Sequence, residues 1–216
     1  MAGNLVSTVG RIIRTAADLA EGAAWLVQTE PRFAPVMEAV EELPLRLKPP
    51  GFAALLDIIA SQQVSVASAD AIRARMLAAG LVDETAVRQA GEDGLRAAGF
   101  SRPKIRYALA LCDAGLDYDA MAALEDAEVA RVLCQQMGIG PWSAEIYLMF
   151  CLGRADVMAS GDLALQESAR ILFDLPARPS APELAAMAAA WSPWRSVAAR
   201  ALFAYYRINK QLEGLG

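Results

Sequence analysis

Apolar residues recur along this chain at the three-to-four-residue spacing of helices, and no alternating run of strand length interrupts them. Alanine and leucine dominate over β-branched runs, which favours the same state. The pattern predicts helices over about 5–27, 31–42, 51–63, 65–79, 83–90, 92–98, 103–114, 118–124, 126–136, 141–152, 162–173, 181–190 and 193–212. Their ends are marked by Pro49-Pro50, Gly80, Gly99, Gly115, the Gly138-Ile139-Gly140-Pro141 turn and Pro176/Pro179. There is no tandem repeat and no low-complexity linker, so the expected fold class is all-α with short connections.

Composition narrows the chemistry. The 216 residues are 56% hydrophobic and 21% charged, enough to bury a core, and they include no histidine. Ser–His–Asp and Cys–His catalysis and histidine-ligated zinc are therefore excluded. The three cysteines, Cys112, Cys134 and Cys151, form no C-x-x-C pair and are expected to be reduced and buried. No stretch reads as a membrane span, and the start shows no signal peptide, so a cytoplasmic protein without a membrane partner is expected.

The net charge of −5 speaks against nucleic acid at first sight, but it is unevenly distributed. Between Tyr107 and Ala130 lie six acids (Asp113, Asp117, Asp119, Glu125, Asp126, Glu128) and no base. Between Leu184 and Leu212 lie Arg195, Arg200, Arg207 and Lys210 and no acid, and Arg102, Lys104 and Arg106 make a second basic group. Screening over about 10 Å makes such local balances count for more than the total. Each cluster reads either as a solvated helix face or as a binding face.

Two short segments carry candidate chemistry. In Met137-Gly-Ile-Gly-Pro-Trp-Ser-Ala144 two glycines let one helix end and another restart, which makes either a tight corner or an anion site at a helix N-terminus. An anion held by main-chain amides needs little net positive charge. Further on, Asp162 stands where an N-cap would open an amphipathic helix carrying Leu163, Leu165, Ala169 and Phe173, and a helix N-terminus also favours an ionised carboxylate.

Read together and in order, the blocks resemble a known family. Gly51-Phe52 leads into Ile58-Ile-Ala-Ser-Gln-Gln-Val-Ser65, followed by Gly99-Phe-Ser-Arg-Pro-Lys-Ile-Arg106 and the hairpin at Met137–Ala144. Ser160-Gly-Asp-Leu-Ala-Leu165 and Trp191-Ser-Pro-Trp-Arg-Ser196 complete the set. Over about residues 18–210 the chain resembles the helix–hairpin–helix DNA glycosylases, in their DNA-3-methyladenine glycosylase II (AlkA-like) branch, without the N-terminal β domain of the longer members.

That resemblance implies a target nucleotide flipped out of double-stranded DNA and a glycosidic bond hydrolysed through an oxocarbenium-like sugar beside a carboxylate. The family's catalytic aspartate falls on Asp162, not on Asp156 six residues earlier. Bifunctional members carry a Schiff-base lysine where this chain has Trp142, so a monofunctional enzyme that leaves an abasic site is implied. Trp142 and Phe203, with Ile146 or Tyr147 nearby, are implied to line an electron-rich pocket suited to cationic alkylated purines such as 3-methyladenine and 7-methylguanine. Gln63 falls where members fill the gap left by the flipped base, while Gly138, Gly140 and Ser143 would hold a phosphate, and Arg195 would add a DNA contact. The family also places a monovalent cation on hairpin carbonyls, here near Gln136 and Ile139, and no other cofactor or metal is implied. Met158-Ala159 replaces the family's apolar-Pro pair, which is expected to loosen the loop that presents Asp162.

The expected architecture is two helical lobes around a cleft. Residues 51–154 would carry the hairpin, residues 1–50 would pack with the C-terminal lobe, and 155–216 would begin at the aspartate helix, with Asp162 at the seam. A monomer is expected. The DNA face would combine helix N-termini with Arg195, Arg200 and the Arg102–Arg106 group, and the acidic block would face away. Three alternatives stand beside this reading: a glycosylase for a deaminated or oxidised base, a catalytically silent binder of damaged DNA, and a plain helical interaction protein without DNA affinity.

Overall fold

The computed structural model describes residues 9–213 and is all-α, with a single isolated bridge between Ile12 and Arg154 as the β-type pairing among the described residues. The α-helices are α1 (Ala16–Thr29), α2 (Ala34–Val40), α3 (Phe52–Ser61), α4 (Val66–Ala78), α5 (Glu84–Ala98) and α6 (Arg102–Asp113). They continue as α7 (Tyr118–Ala122), α8 (Asp126–Cys134), α9 (Pro141–Phe150), α10 (Leu163–Leu172), α11 (Ala181–Ala188) and α12 (Arg195–Glu213). Short 3₁₀ turns at Pro31–Phe33 and Ala189–Trp191 precede α2 and follow α11. The two helices expected over 83–90 and 92–98 are one run with a break at Gly91, whose φ of 60° and ψ of −159° no helix contains.

The chain divides into two compact units. The first is residues 48–147, and its core is built where α3 packs on α4 and α6, and α5 on α6. Leu55, Leu56, Ile59, Leu95, Ala108 and Leu133 are there completely withdrawn from water, each large side chain contributing about 1.5–3 kcal/mol of hydrophobic burial. Lys48 and Arg73 both pair with Asp57, tying α4 and the segment leading into α3 to α3 itself.

The second unit is residues 10–47 with the chain from 148 onward, and α12 is its centre, packed by α1, α2 and α10. An aromatic cluster fills it: Phe33 meets Trp191 and Phe173 edge-on at 5.3 and 5.7 Å, and Phe173 stacks on Trp191 at 5.6 Å. Gly22 in α1 is required by this packing, since a Cβ there would lie 2.6 Å from both Trp194 and Val197.

Two expectations about organisation change. Helix 5–27 begins only at Ala16; its residues 5–8 lie outside the described residues, and 10–14 are not helical. There the backbone pairs with a distant segment, Ile13 N–H donating to Gly153 O at 2.7 Å and Ala155 N–H to Arg11 O at 3.0 Å, and Thr15 with Asp18 then closes a capping box that starts α1. Residues 148–154, expected with the hairpin lobe, belong to the second unit. Their backbone is held there by the pairing with 11–13 and by buried Arg200, which donates to Met149 O at 2.9 Å.

Candidate active site

The hairpin lies wholly in the first unit. α8 ends at Cys134, the Gln136 N–H returns to Leu133 O at 2.9 Å, and Ile139 N–H donates to Gln136 O at 3.1 Å. Gly138 turns the chain with φ of 81°, and only glycine fits: a Cβ would stand 2.1 Å from the ring of Tyr107 on α6. Pro141 then opens α9, where it gives up no hydrogen bond, and Ala144 N–H makes the first helical bond to Gly140 O at 3.1 Å. The first-turn amides of α9 have no acceptor within the helix, as at any helix start, which suits an anion.

The loop from α3 to α4 is fixed to this hairpin. The Gln62 side-chain amide donates to Gly138 O at 2.8 Å and to Ser143 Oγ at 3.0 Å. Lys104 is buried, with Nζ donating to Ala60 O at 2.8 Å at the end of α3, and burial lowers its pKa. Gln63 is exposed in a left-handed conformation at φ 54°, and the exposed apolar Val64 and Val66 follow. Ser65 caps α4 by accepting Ser68 N–H at 3.2 Å.

These bonds change several expected roles. Ser143 is buried and its Oγ accepts from the Gln62 amide, which leaves its own O–H as a donor. Gln62, unremarked beside Gln63 in the sequence, is the residue that joins the two segments. Tyr147 is completely buried and its hydroxyl accepts Gly51 N–H at 3.0 Å; it is a core residue of the first unit, with no surface on which a base could rest. Trp142 and Ile146 are half-buried. So is Glu145 between them, and burial pushes its carboxyl up to about 7. Cys134 is exposed rather than buried, because it ends α8; partial burial and the Glu145 charge both raise its thiol.

Asp162 lies in the second unit as the N-cap of α10. Its Oδ1 accepts from Ala164 N–H at 2.8 Å and Leu165 N–H at 3.3 Å. The preceding loop is pinned, not loose: Met158 and Ala159 are buried, Asp162 N–H donates to Ala159 O at 2.9 Å, and the buried Gln166 amide reaches back to Ser160 O at 2.8 Å. Packing and one side-chain amide supply here the stiffness that the missing proline would give.

Asp156 is engaged elsewhere. It accepts from Arg195 Nε at 2.7 Å and Nη2 at 3.0 Å and from Ser192 Oγ at 2.8 Å; burial alone would raise its pKa, but Arg195 and Ser192 bring it below the usual carboxylate range. The Arg195 charge is thus matched by a fork-shaped pair.

Arg200, expected on the DNA face, is 1% exposed. Its guanidinium donates to the carbonyls of Ser196 and Met149 and lies 4.7 Å from the Phe150 ring centre, and burial brings its pKa down to about 10. It is a structural cation. Phe203 is half-buried and 6.2 Å from Phe150, ring to ring. On the first unit, Arg102 and Arg106 line an open pocket with Arg96, which Glu92 and Asp93 engage. Among the described residues no group of His, Cys, Asp and Glu could hold a metal ion, and no helix is long and apolar enough to cross a membrane.

The chain is similar to known proteins in sequence and in fold. Residues 56–195 match the HhH-GPD superfamily of base excision DNA repair proteins. DNA-3-methyladenine glycosylase 1 of Schizosaccharomyces pombe is 29% identical over 154 residues, which are 67% of this chain and 68% of that protein. A putative DNA-3-methyladenine glycosylase of Bacillus subtilis is 30% identical over 108 residues, 48% of this chain; the match spans only 38% of that relative's own length. Among solved structures, the S. pombe 3-methyladenine DNA glycosylase in complex with abasic DNA superposes with a TM-score of 0.78 at 26% identity, covering 85% of this chain and 95% of that one. A DNA-3-methyladenine glycosidase from Bacillus halodurans gives 0.73 at 29% identity, covering 93% and 94%.

Proposed function

Because the chain belongs to the HhH-GPD superfamily of base excision DNA repair proteins, we propose that it is a monofunctional DNA glycosylase that releases alkylated purines, 3-methyladenine and 7-methylguanine, from duplex DNA. The observation that carries the reading is Asp162 held as the α10 N-cap by two backbone amides, in a loop that buried Met158, Ala159 and Gln166 keep in one conformation. A carboxylate whose orientation is fixed in advance stabilises positive charge as it develops on the sugar and positions a water, without reorganising during the step. A cationic base leaves as a neutral one, so no general acid is required of a chain without histidine.

In the first unit, the Gly138–Ser143 main chain and the start of α9 would hold a backbone phosphate, and Gln63 would enter the gap left by the flipped base. The carbonyls of Gln136 and Ile139 would hold a monovalent cation; the Gln136 oxygen accepts one N–H, from Ile139, and a carbonyl has two lone pairs. Such a cation would supply positive charge beside the phosphate. Trp142, with no amine, provides no Schiff base, so the strand stays intact after base release. Trp142, Ile146 and Phe203 would contact the base.

The test is incubation with methylated DNA, measuring free base and strand nicks separately. Release of 3-methyladenine or 7-methylguanine is expected, with strand breaks appearing only after alkali, and Asp162→Asn is expected to abolish release. Undiminished release by that variant would remove Asp162 from the chemistry. Binding to damaged duplex with no free base at enzyme excess would leave a silent damage binder.

A further inference from the structure

Gln63 occupies a backbone region that a non-glycine residue enters at a cost of roughly 1 kcal/mol or more, so neighbouring bonds must hold it there. On its C-terminal side Ser65 caps α4. On its N-terminal side stand two anchors: Lys104 Nζ on Ala60 O, and Gln62, whose two amide hydrogens are met by Gly138 O and Ser143 Oγ. That match leaves the Gln62 donor with nothing to spare, and both acceptors belong to the hairpin, some eighty residues away in sequence. One of them is the carbonyl of Gly138, the position where the Tyr107 ring leaves no room for a Cβ.

We propose that Gln62 is a positioning residue that locks the α3–α4 loop to the hairpin, so that Gln63 and the α9 N-terminus meet the DNA as one rigid element. The proposal rests on the reading of Gln63 as the gap-filling residue. Loss of the lock lets Gln63 relax to ordinary backbone angles, and its side chain then leaves the position from which it enters the duplex. The phosphate contacts of the hairpin are made by main chain and remain.

The test is a double-mutant cycle on binding preference, comparing duplex that carries a stable abasic analogue with the same duplex intact. Gln62→Met keeps length and packing but has no donor, and Gln62→Glu, of the same shape, serves if Gln62→Met does not fold, as judged by its thermal transition. Gln62→Met is expected to reduce the preference for the gap about tenfold. In a Gln63→Ala background it is expected to change the preference less than about twofold, because the two residues act through one another. Additive losses, or a Gln62→Met protein with undiminished preference, would overturn the proposal; so would a wild-type protein without gap preference. Base release from methylated DNA is measured alongside. Gap preference with the predicted coupling but no base release upholds the lock and removes the glycosylase reading alone.

Discussion

Glu145 shows how one half-buried side chain sets a pH dependence. Its carboxyl is desolvated on α9 and raised to about 7, against an ordinary value near 4.5, and Cys134 is the titratable neighbour that feels its charge. The folded protein therefore binds this proton more tightly than the unfolded chain does. The stability it contributes is complete below about pH 4.5 and is lost as pH rises through 7. Because the group is partly exposed, solvent screening reduces the effect to roughly 1–2 kcal/mol. Glu145→Gln is expected to remove that decline and to be the more stable protein at pH 8, as read by urea unfolding at a series of pH values. An unchanged pH slope would show that the carboxyl is solvated.

At the scale of elements, both candidate functional segments are loops held by a glutamine side chain, one at the C-cap of α3 and one within α10. Gln62 holds the α3–α4 loop and Gln166 holds the loop before α10. A carbonyl paired with a packed side-chain amide restrains its loop, and Gln166 is 7% exposed. Gln166→Leu leaves Ser160 O without its partner and is expected to lower kcat for base release about tenfold while changing KM less than twofold. Steady-state kinetics on a single-lesion duplex would show it. A rise in KM at constant kcat would place Gln166 in substrate binding instead.

The whole molecule carries −5, and the cations expected to face DNA are partly spent within the fold. Arg195 is matched by Asp156, Arg200 is buried, and Arg96 is engaged by Glu92 and Asp93. Arg102 and Arg106 keep no carboxylate partner among the described residues, and the exposed Arg14, Arg46, Arg178 and Arg207 are likewise outside the ion pairs. Binding that leans on main-chain amides releases few counterions. The logarithm of affinity for undamaged duplex is expected to fall with the logarithm of salt at a slope no steeper than about −3, measured by fluorescence anisotropy from 50 to 200 mM salt. A slope of −6 or steeper would show that side-chain cations, not main-chain amides, carry the binding.

Helical periodicity, the glycine and proline stops and the ordered motif blocks were sufficient to give the all-α class, the break at Gly91, the turn at Gly138 and the cap at Asp162. Each of these depends on residues within about four positions of one another, so local backbone and capping preferences determine them. What tertiary structure decided lies at longer range. Residues 10–14 exchange helix for pairing with 153–155, Ser143 Oγ accepts from Gln62, Tyr147 is core, and Arg200 satisfies carbonyls from three parts of the second unit. A polar side chain in a linear sequence carries no sign of whether its partner will be water, DNA or a backbone group a hundred residues away. Burial makes that choice, because a polar group removed from water must be paired within the fold.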